Sequence, residues 1–190
     1  MKTFRSAAAW EAWLAKQHAK SDGLWLQLAK KDSGLASATY PQAVEVALCY
    51  GWIDGQKRPL DSAYWIQRFT PRRPRSKWSR INRAKAEELI ASGRMQPAGL
   101  REVESARGDG RWDAAYASQA TIEVPADLTK ALSKDRDARA FFALLTARNR
   151  YAILYQIEDA KRPETRARRI AQFVEMLARG ETPYSQLRKS

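Results

Sequence analysis

Cysteine and histidine are almost absent from the sequence, which has 190 residues and contains one of each, Cys49 and His18. A lone cysteine cannot form an internal disulfide, and this pair cannot supply the ligands of a zinc site. Zinc-protease, Cys-x-x-Cys and calcium-loop motifs are missing, as are the glycine-rich motifs that hold nucleotide phosphates. The sequence therefore predicts no metal and no cofactor. His18 lies between Lys16 and Lys20, where we expect an exposed helix end and not a catalytic triad.

Long apolar runs are lacking as well. Mean hydropathy is negative, and no segment approaches the roughly 18 apolar residues that a membrane-spanning helix needs. The first residues, M-K-T-F-R-S-A-A-A-W-E, carry charges that interrupt any leader-like apolar stretch. Together with the lone cysteine, these features lead us to expect a cytoplasmic protein without a transmembrane segment.

Acidic residues are outnumbered by basic ones, 21 to 34, which gives a formal net charge of +13. Excess positive charge attracts polyanions, but it also arises as generic surface charge, and the sequence supports both explanations equally. The 44% hydrophobic content and the seven tryptophans indicate a packed globular chain and not a disordered one.

Aromatic and basic residues are interleaved most densely in residues 48–100. This segment holds three of the seven tryptophans, and residues 62–86 contain eight Lys or Arg without an acid. We predict two antiparallel strands at residues 51–58 and 62–69, joined by a short turn. Pro71 and Pro74 then bracket a loop, because proline has no N–H to donate within a sheet, and Ser79 caps the next helix.

The remaining pattern predicts an α+β fold with a small antiparallel sheet, followed by an all-helical module. In the first part we expect a helix over residues 6–19, a strand over 24–29, a helix opening at Thr39 and a helix after Pro97. The second part reads as helices at residues 125–132, 135–147, 148–160 and 163–178. The predicted boundaries are 1–118 for the α+β domain and 119–190 for the helical module.

The proline-bracketed loop and its flanks are the leading candidate site. Guanidinium groups bind phosphate or carboxylate in bidentate fashion, and aromatic rings stack on bases. Trp78 is the predicted stacking partner. Trp65 and Phe69 could also offer stacking faces, although aromatic residues at strand positions are more often part of the core. The predicted anion-binding residues are Arg68, Arg72, Arg73, Arg75, Lys77 and Arg80.

A pocket is the alternative site, with Asp54 as the one weak candidate for a general base. The pair Asp54–Gly55 also suits a tight turn, and we prefer that explanation. The predicted pocket residues are Trp52, Asp54, Gln56, Trp65 and Asn82. A second basic cluster in residues 161–169 lines one helix face, which by default is solvated and less often binds anions.

Several blocks of the sequence resemble one family. They are A-L-C-Y-G-W-I-D-G-Q, R-F-T-P-R-R-P-R-S-K-W-S-R-I-N, G-R-M-Q-P-A-G-L, V-P-A-D-L-T-K-A-L and A-K-R-P-E-T-R-A-R-R-I. Together, within residues 25–180, they are similar to the bacterial YdeI/OmpD-associated, or bacteriocin-protection, family. The resemblance implies a role in tolerance of antimicrobial peptides or in stress, and it carries no catalytic residue to this chain.

These observations favour a binding protein and leave an enzyme as an alternative. The leading prediction is a nucleic acid or another polyanion bound by the arginine-rich loop. The alternatives are a small-ligand-binding protein or an enzyme with a pocket around Trp52, Asp54 and Trp65, and a protein-interaction module formed by the C-terminal helices.

Overall fold

The computed structural model describes residues 1–185, which form two compact units, Met1–Ala115 and a second unit that begins at Tyr116. The predicted boundary lies three residues further along the chain. The last five residues of the predicted helical module, 186–190, lie outside the described residues.

The first unit combines a four-stranded sheet with four helices, counted over its described residues, so the predicted α+β class is confirmed. Strand order is β1-β2-β4-β3, and β4 is antiparallel to both of its neighbours, β2 and β3. Strand β1 pairs with β2 in parallel, so the sheet is mixed and not purely antiparallel as predicted. The elements are β1 (Lys2–Thr3), α1 (Ala7–Gln17), β2 (Leu24–Ala29), α2 (Tyr40–Cys49), β3 (Trp52–Pro59), β4 (Tyr64–Pro71), α3 (Arg80–Ala91) and α4 (Pro97–Gly108).

Three helices of this unit begin where their capping residues predict. The Ser6 hydroxyl accepts a hydrogen bond from the Ala9 N–H, and Ser79 accepts one from Asn82 N–H in the same way. Thr39 and Gln42 cap each other's backbone N–H groups at the start of α2. Each cap satisfies a donor that the first helical turn cannot pair, so the start of the helix is encoded locally.

Aromatic side chains fill the core between the sheet and its helices. Burial alternates along β2, with Leu24, Leu26 and Leu28 inside and their neighbours half-exposed. Trp10 packs against Trp52 and Phe69 with ring centroids 6.2 and 5.7 Å apart, and all three side chains are buried. Because alternate residues of a strand face opposite sides, this pattern leaves one face of the sheet with the helices and the other outside the core.

Strand β3 contains a bulge directly after Asp54. Its pairing with β4 shifts between Asp54 and Lys57. The bulge lets the Gln67 side-chain amide, which is buried, donate to the Gly55 carbonyl at 2.8 Å. It also changes which β3 residues face the helices, and it places Lys57 on the same side as Trp65.

The second unit is helical over its described residues. Its elements are α5 (Ala126–Leu132), α6 (Arg136–Ala143), α7 (Ala147–Glu158) and α8 (Pro163–Ala178), and its core is built from leucine, isoleucine and phenylalanine. The helix predicted over residues 135–147 ends four residues early, because Thr146 caps α7 by accepting from the Asn149 N–H. Asn149 is buried, and its amide donates to the Tyr184 carbonyl and accepts from the Tyr184 N–H at 3.0 and 2.9 Å.

Candidate anion-binding sites

The loop of residues 72–79, called here the cationic loop, has an ordered backbone. The Arg72 N–H donates to the Gly51 carbonyl at 2.9 Å, which fixes the start of the loop. The Ser76 N–H donates to the Arg73 carbonyl at 2.8 Å, and the Ser76 hydroxyl accepts from the Arg73 N–H at 2.9 Å. Pro74 lies within this hydrogen-bonded turn. The turn fixes the backbone positions from which the side chains of the loop project.

Arg111 braces the loop from a distant part of the chain. Its guanidinium donates to the Ser76 carbonyl at 2.9 Å and forms an ion pair with Asp109 at 2.7 Å. A further hydrogen bond to Ser105 completes its contacts with the surrounding segment. Arg111 was not among the predicted site residues, and its position in a Gly-Asp-Gly-Arg loop gave no signal of this role.

The six predicted cations divide into three groups. Arg73, Arg75, Lys77 and Arg80 are exposed on the loop or at the start of α3. Arg68 is half-buried on β4, on the sheet face away from the helices, opposite Trp25. Arg72 is only 6% exposed, because its guanidinium lies 3.5 Å from the centroid of the Trp78 ring.

Arg72 and Trp78 therefore correct the predicted site. Both side chains are buried, and Arg72 also donates to the Lys77 carbonyl at 3.3 Å. The Trp78 ring, 2% exposed, packs edge-on against Trp112 at 4.9 Å. The ring that was expected to stack on a ligand is a core residue covered by the arginine that was expected to bind the phosphate.

The predicted pocket is only partly assembled. Trp52 is buried, and its indole N–H donates to the His18 carbonyl. Asn82 lies in the first turn of α3, where its backbone N–H donates to the hydroxyl of the capping residue Ser79. Asp54 and Trp65 do come together, through Tyr40: its hydroxyl donates to Asp54 at 2.7 Å and its ring lies 5.7 Å from that of Trp65.

A groove of about 590 Å³ lies beside Trp65, and we call it the Trp65 groove. It is formed where β2 ends and the β3–β4 hairpin turns. Its lining residues are Lys30, Lys31, Lys57, Pro59 and Trp65. The two lysines after β2 were not predicted as site residues, because only the pairing of β2 with β4 brings them beside Trp65.

The second basic cluster serves the helical unit internally. Arg166 forms two hydrogen bonds with the Asp127 carboxylate and donates to the Ile157 carbonyl at 2.8 Å. Arg169 donates to the Gln156 carbonyl. The two arginines therefore cap carbonyls at the end of α7, which leaves the anion-binding alternative for this cluster without support from Arg166 and Arg169.

The hydrogen bonds from Arg166 hold the pKa of Asp127 below its usual value. A carboxylate with a lowered pKa stabilises the folded state above its unfolded pKa of about 4, and this contribution is lost as the pH falls through the lowered value. We predict that Asp127→Asn costs about 0.5 kcal/mol at neutral pH, since both side chains of the pair are partly exposed to solvent. The difference in thermal midpoint from the wild type should shrink below about pH 4, and a constant difference across pH would contradict this assignment.

A groove of about 810 Å³ runs beside α5 and α8 in the helical unit. Its floor is made largely of alanines with Ile170 and Val174, and its rim carries charges that include the Asp127–Arg166 pair. If the helical unit is the predicted protein-interaction module, a helix of a partner protein would fit this groove. Nothing in the described residues identifies an occupant, so the module stays a prediction.

Cys49, the one cysteine of the chain, is buried. Burial raises the pKa of the Cys49 thiol to about 11, so the reactive thiolate is scarce at neutral pH. Over residues 1–185 no cluster of three metal-ligating side chains occurs, and none of the helices there is long and apolar enough to cross a membrane.

Comparison with known families covers most of the chain in two segments. Residues 2–102, more than half of the chain, match a family described as a domain of unknown function (DUF8412). The chain belongs to this family. Residues 121–180 match the family described as Bacteriocin-protection, YdeI or OmpD-Associated, which confirms the predicted resemblance within the helical unit. The sequence blocks between residues 47 and 100 fall in the first match and not in the second. Comparison with curated proteins and with solved structures gave no match.

Proposed function

We propose that this chain is a cytoplasmic, non-enzymatic resistance or stress protein of bacteria that binds an anionic partner through the cationic loop. The exposed side chains that would make the contacts are Arg73, Arg75 and Lys77, with Arg80 at the start of α3. The Bacteriocin-protection description of the helical segment supports the resistance role. The geometry of the loop supports the binding role.

One contrast among the arginines carries the proposal. Arg111, Arg166 and Arg179 form ion pairs with carboxylates inside their own units. Arg73 and Arg75 are exposed on a braced backbone, and their side chains pair with no acid among residues 1–185. Keeping like charges close together costs stability through repulsion, whereas a bound anion removes that cost. Because the backbone is already ordered, an anion would not have to order it on binding.

The burial of Trp78 determines what kind of binding to expect. Without an exposed aromatic ring in the loop, the contacts would be made by guanidinium and ammonium groups alone. Such contacts recognise phosphates and carry no sequence information. We therefore expect binding to nucleic acid that depends steeply on salt and little on base sequence.

The same charge argues against direct capture of cationic antimicrobial peptides. A chain with a net charge of +13 repels cationic peptides. Protection would therefore act through the anionic partner and not by binding the peptide.

The test is the affinity for a labelled single-stranded RNA and a labelled DNA duplex, measured by fluorescence anisotropy at several salt concentrations. We predict that changing Arg73, Arg75 and Lys77 together to alanine weakens binding at least about tenfold at low salt. The slope of log affinity against log salt should fall by about 2 on RNA and nearly 3 on DNA, since each phosphate contact contributes about 0.7 or 0.9.

The matched control removes the same charge elsewhere in the same unit. Changing Arg5, Lys16 and Lys20 to alanine also lowers the net charge by three, and all three side chains are exposed. If this control weakens binding as much as the loop variant does, the binding reflects net charge and the cationic loop is not a site.

A further inference from the structure

The Trp65 groove is separate from the cationic loop. Trp65 lies near the start of β4, whereas the loop follows Pro71 at the end of the strand. Six residues of extended chain separate the two positions by roughly 20 Å. A ligand in the groove would therefore contact a different set of side chains from a ligand on the loop.

Three lysines line the groove and no acid does. Lys30 is held in place at both ends: its N–H donates to the Ala63 carbonyl at 2.8 Å and its ammonium to the Asp61 carbonyl at 2.7 Å. The Asp61 carboxylate forms no ion pair with Lys30, and its Oδ1 accepts from the N–H groups of Ala63 and Tyr64. Among residues 1–185, none of the three lysines forms an ion pair, so the groove keeps a concentrated positive charge.

Trp65 supplies an aromatic surface next to this charge. Tyr40, tied to Asp54 by its hydroxyl, packs against the ring and restrains it. The ammonium of Lys57 lies 4.2 Å from the ring centroid. A lysine is a flexible cover, since its side chain can leave the ring without disturbing the backbone.

We propose that the Trp65 groove binds a nucleoside di- or triphosphate. The base stacks on the Trp65 ring, where it replaces the Lys57 ammonium. The ammonium groups of Lys57, Lys30 and Lys31 then contact the phosphates. Lys57 exchanges its contact with the ring for a contact with an anion, and the base replaces it over the π surface. A volume of about 590 Å³ falls in the usual range of small-ligand sites.

The base and the phosphates of the ligand contact different features of the groove: the base contacts the Trp65 ring, and the phosphates contact the three lysines. A neutral sugar or a free base would use the tryptophan and leave the three ammonium groups without an anion. Inorganic phosphate would pair the ammonium groups and leave the ring covered by Lys57 as it is. Only a ligand with both a planar ring and a multiply charged group uses all of the lining.

Isothermal titration calorimetry with three probes tests the proposal. ATP, inorganic triphosphate and adenosine are titrated into the full chain without added magnesium, so that no divalent cation competes with the protein for the phosphates. We expect ATP to bind in the micromolar range and the other two at least tenfold more weakly. If triphosphate binds as tightly as ATP, the groove is a cationic patch without base recognition and the proposal fails.

Three variants locate the site. Changing Lys30 and Lys31 together to glutamine, or Lys57→Met, should weaken ATP binding at least fivefold, and Trp65→Leu should remove the advantage of ATP over triphosphate. Lys30, Lys31 and Lys57 are exposed, so their variants should stay folded even if Trp65→Leu does not. Unchanged ATP affinity in the lysine variants would overturn the proposal.

The variant with alanines at Arg73, Arg75 and Lys77 separates this inference from the proposed function. It should bind ATP as the wild type does while losing affinity for nucleic acid. If it loses ATP binding instead, the nucleotide binds at the cationic loop and the groove is not its site.

Discussion

Gly99→Ala should destabilise the first unit by about 3 kcal/mol, although alanine favours helices and Gly99 lies inside α4. A Cβ added there would lie 2.5 Å from the Cys49 carbonyl oxygen and 2.6 Å from that of Leu48, and it would also overlap the Met95 sulfur. These carbonyls cannot move aside easily, because Cys49 accepts from the Gln96 N–H and Leu48 from the Gly51 N–H. Helix α4 must therefore shift as a whole, and the core residues that pack against it must shift as well.

The same helix offers the control. Gly108 is the last residue of α4, and nothing lies within 4 Å of an added Cβ. Gly108→Ala should be neutral or stabilise by up to about 1 kcal/mol, since only the conformational preference of glycine is removed. Urea unfolding followed by tryptophan fluorescence reports the difference, because all seven tryptophans lie in residues 1–115. Equal midpoints for the two variants would mean that α4 does not pack this closely on α2.

The helices of this chain could be predicted from sequence wherever their ends are encoded locally. Ser6, Thr39 and Ser79 each accept from an N–H three residues later, and that contact needs nothing beyond the first turn. Strand β2 could also be predicted from the sequence, because buried and half-exposed residues alternate along it. Strand β1 was missed, since two exposed residues have no periodicity and pair only because β2 lies beside them.

The candidate sites could be predicted only as far as residue type. Arg72 and Arg73 are neighbours of the same type in the same loop, and one is buried over an indole while the other faces solvent. What separates them is the position of Trp78 against Trp112, which is set by a segment more than thirty residues away. A sequence pattern holds no information about such long-range packing.

The predicted pocket is only partly assembled for a related reason. Trp52 and Trp65 belong to adjacent strands on the same face, but the hairpin register pairs Trp52 with Pro71 and Pro59 with Trp65. The two tryptophans are thus at opposite ends of the sheet, one in the core and one beside the groove. The sequence predicted the two antiparallel strands but not their register, and it is the register that places the two tryptophans far apart.

In the helical unit, Asn149→Asp should cost about 3 kcal/mol at neutral pH. The buried amide donates to the Tyr184 carbonyl and accepts from its N–H, so it ties the segment after α8 to α7. A carboxylate keeps the acceptor and loses the donor, and it places a negative charge against the carbonyl oxygen in a buried position. We expect faster hydrogen exchange of the α7 amides, measured by mass spectrometry on peptides from residues 147–158.

The control is the same substitution at the equivalent position of another helix. Asn82 and Asn149 are both the third residue after a hydroxyl cap, Ser79 or Thr146, and an acid in a first helical turn is favourable by up to about 1 kcal/mol. Asn82 is half-exposed, so Asn82→Asp should be neutral or slightly stabilising, and any loss at Asn149 then comes from the contact with Tyr184 and not from the helix.

Acid should reverse the effect at position 149. The pKa of the introduced carboxyl must rise on folding, because only the protonated form can donate to the Tyr184 carbonyl. The folded state then binds more protons than the unfolded state, so the variant recovers stability relative to the wild type as the pH falls towards about 4. A stability deficit that does not change between neutral pH and about pH 4 would show that the carboxylate finds another partner and that the hydrogen bond donated to Tyr184 is not what holds this segment.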